Sequence, residues 1–197
     1  MGSDNDTVKE KTFGQLVMEA LDIASQKNAS LAVRFACLVS GIGKNQLAGN
    51  QQVDQVSGAG RARILDLCER LRVPTECKEL ALTMEREHAQ VDDSPSFNAE
   101  EIVNLLERCD AIRKPGRFRE LLTACECIAQ AYDEKGDFQY QASQLLNAAA
   151  DAVRRVDTGA IAKRAAADGM QGPDIGKAVH SARVEILKQT LQPGSGI

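Results

Sequence analysis

Apolar positions recur along most of this chain at the three- and four-residue spacing of amphipathic helices. Phe13, Leu16, Val17, Ala20, Leu21 and Ala24 mark one such stripe and predict a helix over about residues 8–26. The run LAVRFACLV that follows is apolar nearly all round, and predicts a central, buried helix over about 30–40. Arg34 inside it would then need a carboxylate partner. Residues 45–60 are rich in Gly and Gln and predict a flexible loop. Helices are expected over 61–71 and 74–88, with Pro74 suited to a first turn, and a turn-rich link over 89–97. Asn98-Ala99-Glu100-Glu101 has the form of a capping box and opens a helix that runs to Asp110. RKPG at 113–116 predicts another break, and helices follow over about 118–132, 137–156, 158–168 and 173–191. The closing QPGSGI is expected to be disordered.

Composition supports an all-α fold. Aromatic residues are 4% of the chain, Trp is absent, and alternating β-branched runs are missing. About five helices should pack before Asp110, with a smaller helical extension behind them. The net charge of −4 excludes a basic field over the whole molecule, though not a local basic face. No run approaches eighteen apolar residues, so no membrane span is expected. The acidic, polar start does not read as a secretory signal, which makes a cytoplasmic location the expectation. The six cysteines, at 37, 68, 77, 109, 125 and 127, are then expected to be reduced and mostly buried.

The search for chemistry removes most enzyme classes. There are two histidines, His88 and His180, and no phosphate-binding loop, dinucleotide fingerprint or nucleophile elbow. Gly41-Ile42-Gly43-Lys44 reads as a helix end stopped by glycine. Cys125 and Cys127 are one residue apart on a helix and so point in different directions, as structural thiols do. His180, near Ile175 and Val179, reads as structural.

Several segments together are distinctive: VRFACLVSGIGK at 33–44, LCERLRVPTECKELA at 67–81, EREH at 85–88, LLERCDAIRKPGRF at 105–118, LLTACEC at 121–127 and QGPDIGKAVHSAR at 171–183. They are collinear and resemble the C-terminal half of bacterial CCA-adding tRNA nucleotidyltransferases. That half is an HD-type phosphohydrolase domain followed by a helical tail. The resemblance implies an HD-like helical domain over 12–112 and a C-terminal helical region over 113–191. Residues 1–11 would be a disordered end or an appended tag, and 192–197 a disordered tail. Nothing here resembles the nucleotide-adding head of that family.

The family's HD domain uses a divalent metal, and its ligand positions can be carried over one at a time. The family's first histidine falls on or near Leu16, and the His-Asp doublet on Ser40 and Gly41. The histidine-rich loop falls on 52–57, a later histidine on about Asp92, and the D-x-R-G segment on Ile128–Ala131. His88 and Asp110 match. The resemblance therefore implies a vestigial metal site at Leu16, Ser40, Gly41, His88 and Asp110, with no metal, no cofactor and no catalytic residue. His88 is expected at the surface near a helix end. Asp110 is expected to pair with the Arg-Lys doublet that follows it.

Basic residues cluster at Arg61, Arg63, Arg70 and Arg72, at Arg113, Lys114, Arg117 and Arg119, and at Arg154, Arg155, Lys163 and Arg164. The resemblance implies RNA, and tRNA in particular, as a partner for the patches at Arg61, Arg63, Arg113, Lys114, Arg117, Arg119, Arg154 and Arg155. The scarcity of aromatics argues against sequence-specific reading of bases. The expectation is a catalytically silent HD-like module that binds RNA or serves as a structural unit for a protein partner. Two alternatives remain open. One is a phosphohydrolase holding Mg²⁺ or another divalent metal on His88, Asp54, Asp92 and Asp110. The other is a piece of a longer nucleotidyltransferase.

Overall fold

The computed structural model describes residues 11–42, 58–133 and 138–191. Among them it contains only helices, joined by turns and one 3₁₀ segment. The α-helices are α1 (Phe13–Gln26), α2 (Leu31–Val39), α3 (Ala59–Arg70), α4 (Thr75–Asp93), α5 (Ala99–Arg108), α6 (Pro115–Tyr132), α7 (Gln141–Arg154), α8 (Thr158–Ala167) and α9 (Gly172–Leu191). The all-α architecture expected from the sequence is present.

Local sequence explains where these helices start. Thr12 and Gln15 close a capping box on α1, the Thr12 N–H donating to Gln15 Oε1 at 2.8 Å. Asn98 and Glu101 do the same for α5, as their spacing predicts. The Asn98 N–H donates to Glu101 Oε2 at 2.8 Å, and the Glu101 N–H returns to Asn98 Oδ1 at 3.1 Å. Ser30 Oγ accepts the Val33 N–H at 3.3 Å and donates to Glu120 of α6 at 2.6 Å, so one hydroxyl caps α2 and ties it to a neighbour.

Several boundaries differ from expectation, among them the starts of α1 at Phe13, α3 at Ala59 and α7 at Gln141. α4 runs five residues past His88, to Asp93, because nothing in Ala89–Asp93 breaks it; Pro95 then sits in the 3₁₀ turn Ser94–Ser96 that ends it. Pro74 is the N-cap of α4, one residue before the first turn. RKPG does not separate helices by a loop: Pro115 is the first residue of α6, where its missing N–H has no intrahelical role. Residues 45–57, where the sequence predicts a loop, and the tail 192–197 lie outside the described residues.

Packing centres on α2, which lies against α1, α4 and α6. Small residues let these helices approach closely: Ala20 and Ala24 on α1, Ala36 and Cys37 on α2, and Ala124 on α6 are all essentially inaccessible. α2 is nonetheless not buried all round. Leu31 and Leu38 are exposed, and Arg34 is half-buried. The Arg34 Nε donates to the Ala29 carbonyl at 3.0 Å, so a backbone oxygen takes the place of the expected carboxylate. α6 packs on α1, α2 and α4, while α9 covers α5 and α7. The buried core runs without interruption from Ala20 to Leu187. Buried residues on both sides of position 112 contribute to it.

One buried charge has no signal in the sequence. Glu87 on α4 is 2% exposed and accepts from Arg86 Nε at 2.8 Å and from Arg108 Nε and Nη2 at 3.1 Å. Removing a partner leaves this carboxylate under-compensated in a dry site. Arg108→Ala should lower the free energy of unfolding by about 2 kcal/mol, because Arg86 remains and both guanidinium groups are partly solvated. Urea denaturation checks this.

Candidate functional site

A cavity of about 350 Å³ opens between α1, α2, α4 and α6, with α3 at its rim. It gathers Leu16 of α1, Ser40 and Gly41 at the end of α2, His88 and Asp92 of α4, and Ile128 and Ala129 of α6. Leu16, Ser40, Gly41 and His88 are positions to which the resemblance assigns metal ligands, far apart in sequence and brought together by the fold. Asp110 does not line the cavity.

The chemistry of the wall is mostly apolar. Phe13, Leu16, Val17, Val39, Ile64, Met84 and Ile128 supply hydrocarbon surface. The polar side chains are Ser40, Glu85, His88, Asp92 and the Tyr132 hydroxyl. Ser40 Oγ donates to the Cys37 carbonyl at 2.8 Å, within its own helix. Gly41 follows with φ of 72°, a left-handed turn that ends α2 and suits a residue without Cβ. His88 Nδ1 lies 3.1 Å from the Met84 carbonyl; an oxygen there only accepts, so the nitrogen carries the proton and donates. His88 is thus in the middle of α4 and lines the cavity, rather than lying at a helix end as expected. The Tyr140 hydroxyl donates to Asp92, and burial holds that phenol well above its ordinary pKa.

The described residues of the wall do not by themselves make up a divalent-metal site. Leu16 and Gly41 have no side-chain donor atom, and Ser40 offers only a neutral hydroxyl, a weaker ligand than imidazole or carboxylate. Among the described residues, no three His, Cys, Asp or Glu side chains converge as a metal would need. The rearranged set of His88, Asp54, Asp92 and Asp110 is not assembled either. Asp54 lies outside the described residues, and Asp110 is engaged elsewhere: it accepts from Arg113 Nε at 2.6 Å, with Lys114 Nζ at 3.6 Å. The hydrogen bond from Arg113 holds the Asp110 carboxyl below the ordinary range. This is the pairing the sequence predicts for Asp110.

None of the six thiols lines the cavity. All six are free and buried. Burial pushes Cys109 up to about 12. A hydrogen bond with Cys127, together with burial, holds Cys37 well above the ordinary thiol range, and burial does the same for Cys125. His180 is structural: its Nδ1 lies 3.1 Å from Glu107 Oε2, and Arg183 reaches Glu107 Oε1 at 2.7 Å, joining α9 to α5.

The basic residues divide into paired and unpaired groups. Arg117 is ion-paired with Glu79, Arg154 with Asp151, and Arg113 and Lys114 with Asp110. Arg63 Nη1 donates to the Ile42 carbonyl at 2.9 Å. Arg61, Arg119, Arg155 and Arg164 are exposed and form no ion pair among the described residues.

The chain is 43% identical over 190 residues to a multifunctional CCA protein of Acidovorax sp. (strain JS42), covering 93% of this chain and 45% of the relative. It is 42% identical over 184 residues to the multifunctional CCA proteins of Paracidovorax citrulli and of Burkholderia vietnamiensis, covering 92% of this chain and 44% of each relative. The chain is related to the C-terminal half of the multifunctional CCA proteins. It spans less than half the length of these curated relatives. No family profile matches the chain, and no solved structure matches it. No helix among the described residues is long and apolar enough to cross a membrane.

Proposed function

We propose that this chain is a catalytically silent HD-like module that binds RNA of the tRNA class through phosphate contacts. The observation that carries the silent half of this reading is the cavity: where the resemblance calls for metal ligands, Leu16, Ser40 and Gly41 now meet, beside the apolar Ile128 and Ala129. An ion held by His88 and Asp92 alone would have neither the affinity nor the polarised water that hydrolysis needs. Metal content and turnover of 2′,3′-cyclic AMP and a generic phosphodiester, with Mg²⁺, Mn²⁺, Ni²⁺ and Co²⁺, test this directly. The expected result is neither bound metal nor turnover; metal-dependent turnover overturns it.

RNA binding rests on the relationship to CCA proteins and on the unpaired cations. A guanidinium already neutralised by a carboxylate releases fewer counterions on meeting a phosphate than an unpaired one. Arg155 and Arg164 should therefore matter more than Arg113. Binding of tRNA, followed by fluorescence anisotropy across a salt series, should weaken in Arg155→Gln/Arg164→Gln. The slope of log K against log salt should fall by about 1–2, since each phosphate that is no longer neutralised removes about 0.7–0.9. Arg113→Gln should change little. Affinity that ignores salt, or no binding by the parent chain, sinks the RNA reading.

The partial coverage of the relatives supports a second reading, that the chain is part of a longer nucleotidyltransferase. An upstream coding segment with a G-G-x-V-R-D-type head motif decides it.

A further inference from the structure

We infer that the cavity is a binding site for a small organic cation, an ammonium group on an apolar body. The inference rests on the proposal that the site no longer holds a metal. Its volume of about 350 Å³ is within the range of small-molecule sites, about 300–1,000 Å³. Its deeper walls are hydrocarbon: Val17, Ala36, Val39, Ala81, Met84 and Ile128 offer no hydrogen bond from their side chains. A ligand that gains from this surface must itself be apolar over most of its length.

The charged groups on the wall have one sign. Glu85 and Asp92 are acidic, and among the described residues no lysine or arginine lines the cavity. His88 is turned back on its own helix, its Nδ1 donating to the Met84 carbonyl. Asp92 is already engaged by Tyr140, so Glu85 carries the recognition. Its carboxyl group forms no hydrogen bond and no ion pair among the described residues, and it is half-buried. Its position is set by α3. A Cβ built on Gly60 would lie 1.9 Å from Glu85 Oε1, so the carboxyl rests against the backbone of the first turn of α3. No side chain caps that end of α3, and the helix N-terminus favours a negative charge there. The result is a carboxylate held at the rim of an apolar pocket. Among the described residues a hydrated anion such as a phosphate would meet two like charges and no lysine or arginine. An alkyl or arylalkyl ammonium places its charge at Glu85 and its hydrocarbon against Met84, Val39 and Ile128.

The probe is phenethylamine, titrated into the ¹⁵N-labelled full chain, with phenethyl alcohol and 3-phenylpropionate as matched neutral and anionic controls. Saturable shifts are expected at cavity residues for the amine, at least tenfold tighter than for the alcohol, with no binding of the acid. Glu85→Gln should remove the preference for the amine over the alcohol while leaving the amide spectrum native. Ala129→Phe, which fills the cavity from α6, should abolish both. An amine no tighter than the alcohol, or an affinity untouched by Glu85→Gln or Ala129→Phe, overturns the inference. Metal analysis of the same sample separates its failure from failure of the silent-site reading: a metal-free chain that ignores the amine refutes this inference alone, and a metal-bound chain refutes both.

Discussion

A chain that ends at residue 112 is expected not to fold. α6 would be lost, and with it the buried Phe118, Leu121, Leu122, Ala124, Cys125, Cys127 and Ala131. These side chains cover the inner faces of α1, α2 and α4. Burial of Phe118, Leu121 and Leu122 alone is worth about 1.5–3 kcal/mol each, a sum comparable to the whole stability of a small domain, about 5–15 kcal/mol. Their removal also strips the pairs that staple α6 to the front of the chain. Those are Lys27 with Glu126 at 2.8 Å and Ser30 with Glu120 at 2.6 Å. A chain that ends at Arg155 keeps α6 and α7 and should remain folded, at lower stability, since it loses Val184 and Leu187 of α9 from the cover over α5 and α7. Amide dispersion in ¹⁵N spectra and thermal melting by circular dichroism distinguish the two. A dispersed spectrum and cooperative melt from residues 12–112 would show that the first five helices form a domain by themselves.

That expectation marks what the sequence can and cannot carry. The helices are legible because each has a local signal: the Asn98–Glu101 capping box, the stripe from Phe13 to Ala24, and the glycine that stops α2. Their assignment to domains is not, because RKPG carries the same signal whether proline opens a helix or interrupts one. Only the packing of Phe118 and Leu121 into the core decides that α6 belongs with α1, α2 and α4. The sequence predicts α4 too short for a related reason. Ala89–Asp93 holds no strong helix signal, and its continuation is fixed by Val91, which is wholly buried. Polar contacts are least legible. Glu87 looks like any helical glutamate, and its burial depends on Arg108 arriving from α5. Arg34, which the apolar run predicts to be buried and paired, instead turns back to a carbonyl five residues behind it. The cavity is an intermediate case. Its positions are identified one at a time by resemblance, but that Leu16, Gly41, His88 and Ala129 share one wall comes only from the fold. Glu85, the one carboxylate there that lacks a partner among the described residues, has no signal in the sequence to set it apart.

Returning donors to that wall should return metal binding. The variant Leu16→His/Ser40→His/Gly41→Asp places two imidazoles and a carboxylate at the positions the resemblance assigns to ligands, beside the existing His88 and Asp92. Leucine and glycine there offer no side-chain lone pair, and serine only a neutral hydroxyl. The gain in affinity for Ni²⁺ or Co²⁺ over the parent should be on the order of 10²-fold or more, because the number of strong ligands, rather than the groups that orient them, is what the parent lacks. The substitutions are not free. Aspartate at position 41 must adopt the left-handed φ of 72° that glycine now supplies, at a cost of about 1 kcal/mol. Histidine at position 16 gives up part of an apolar contact with Phe13 and Ile128 across the cavity. The variant should therefore melt below the parent without metal and regain stability as metal is added, by the amount that binding to the folded state alone contributes. Co²⁺ absorption and metal-dependent thermal shifts read both effects. Leu16→His alone should show the loss of stability without the gain in affinity. If the triple variant binds no more metal than the parent, these positions do not face a common point. The cavity would then not be the counterpart of the family's metal site, and the case for a silenced hydrolase would fall with it. If the parent itself binds Co²⁺ as tightly as the variant, the case falls from the other side, since His88, Asp92 and Glu85 would then suffice.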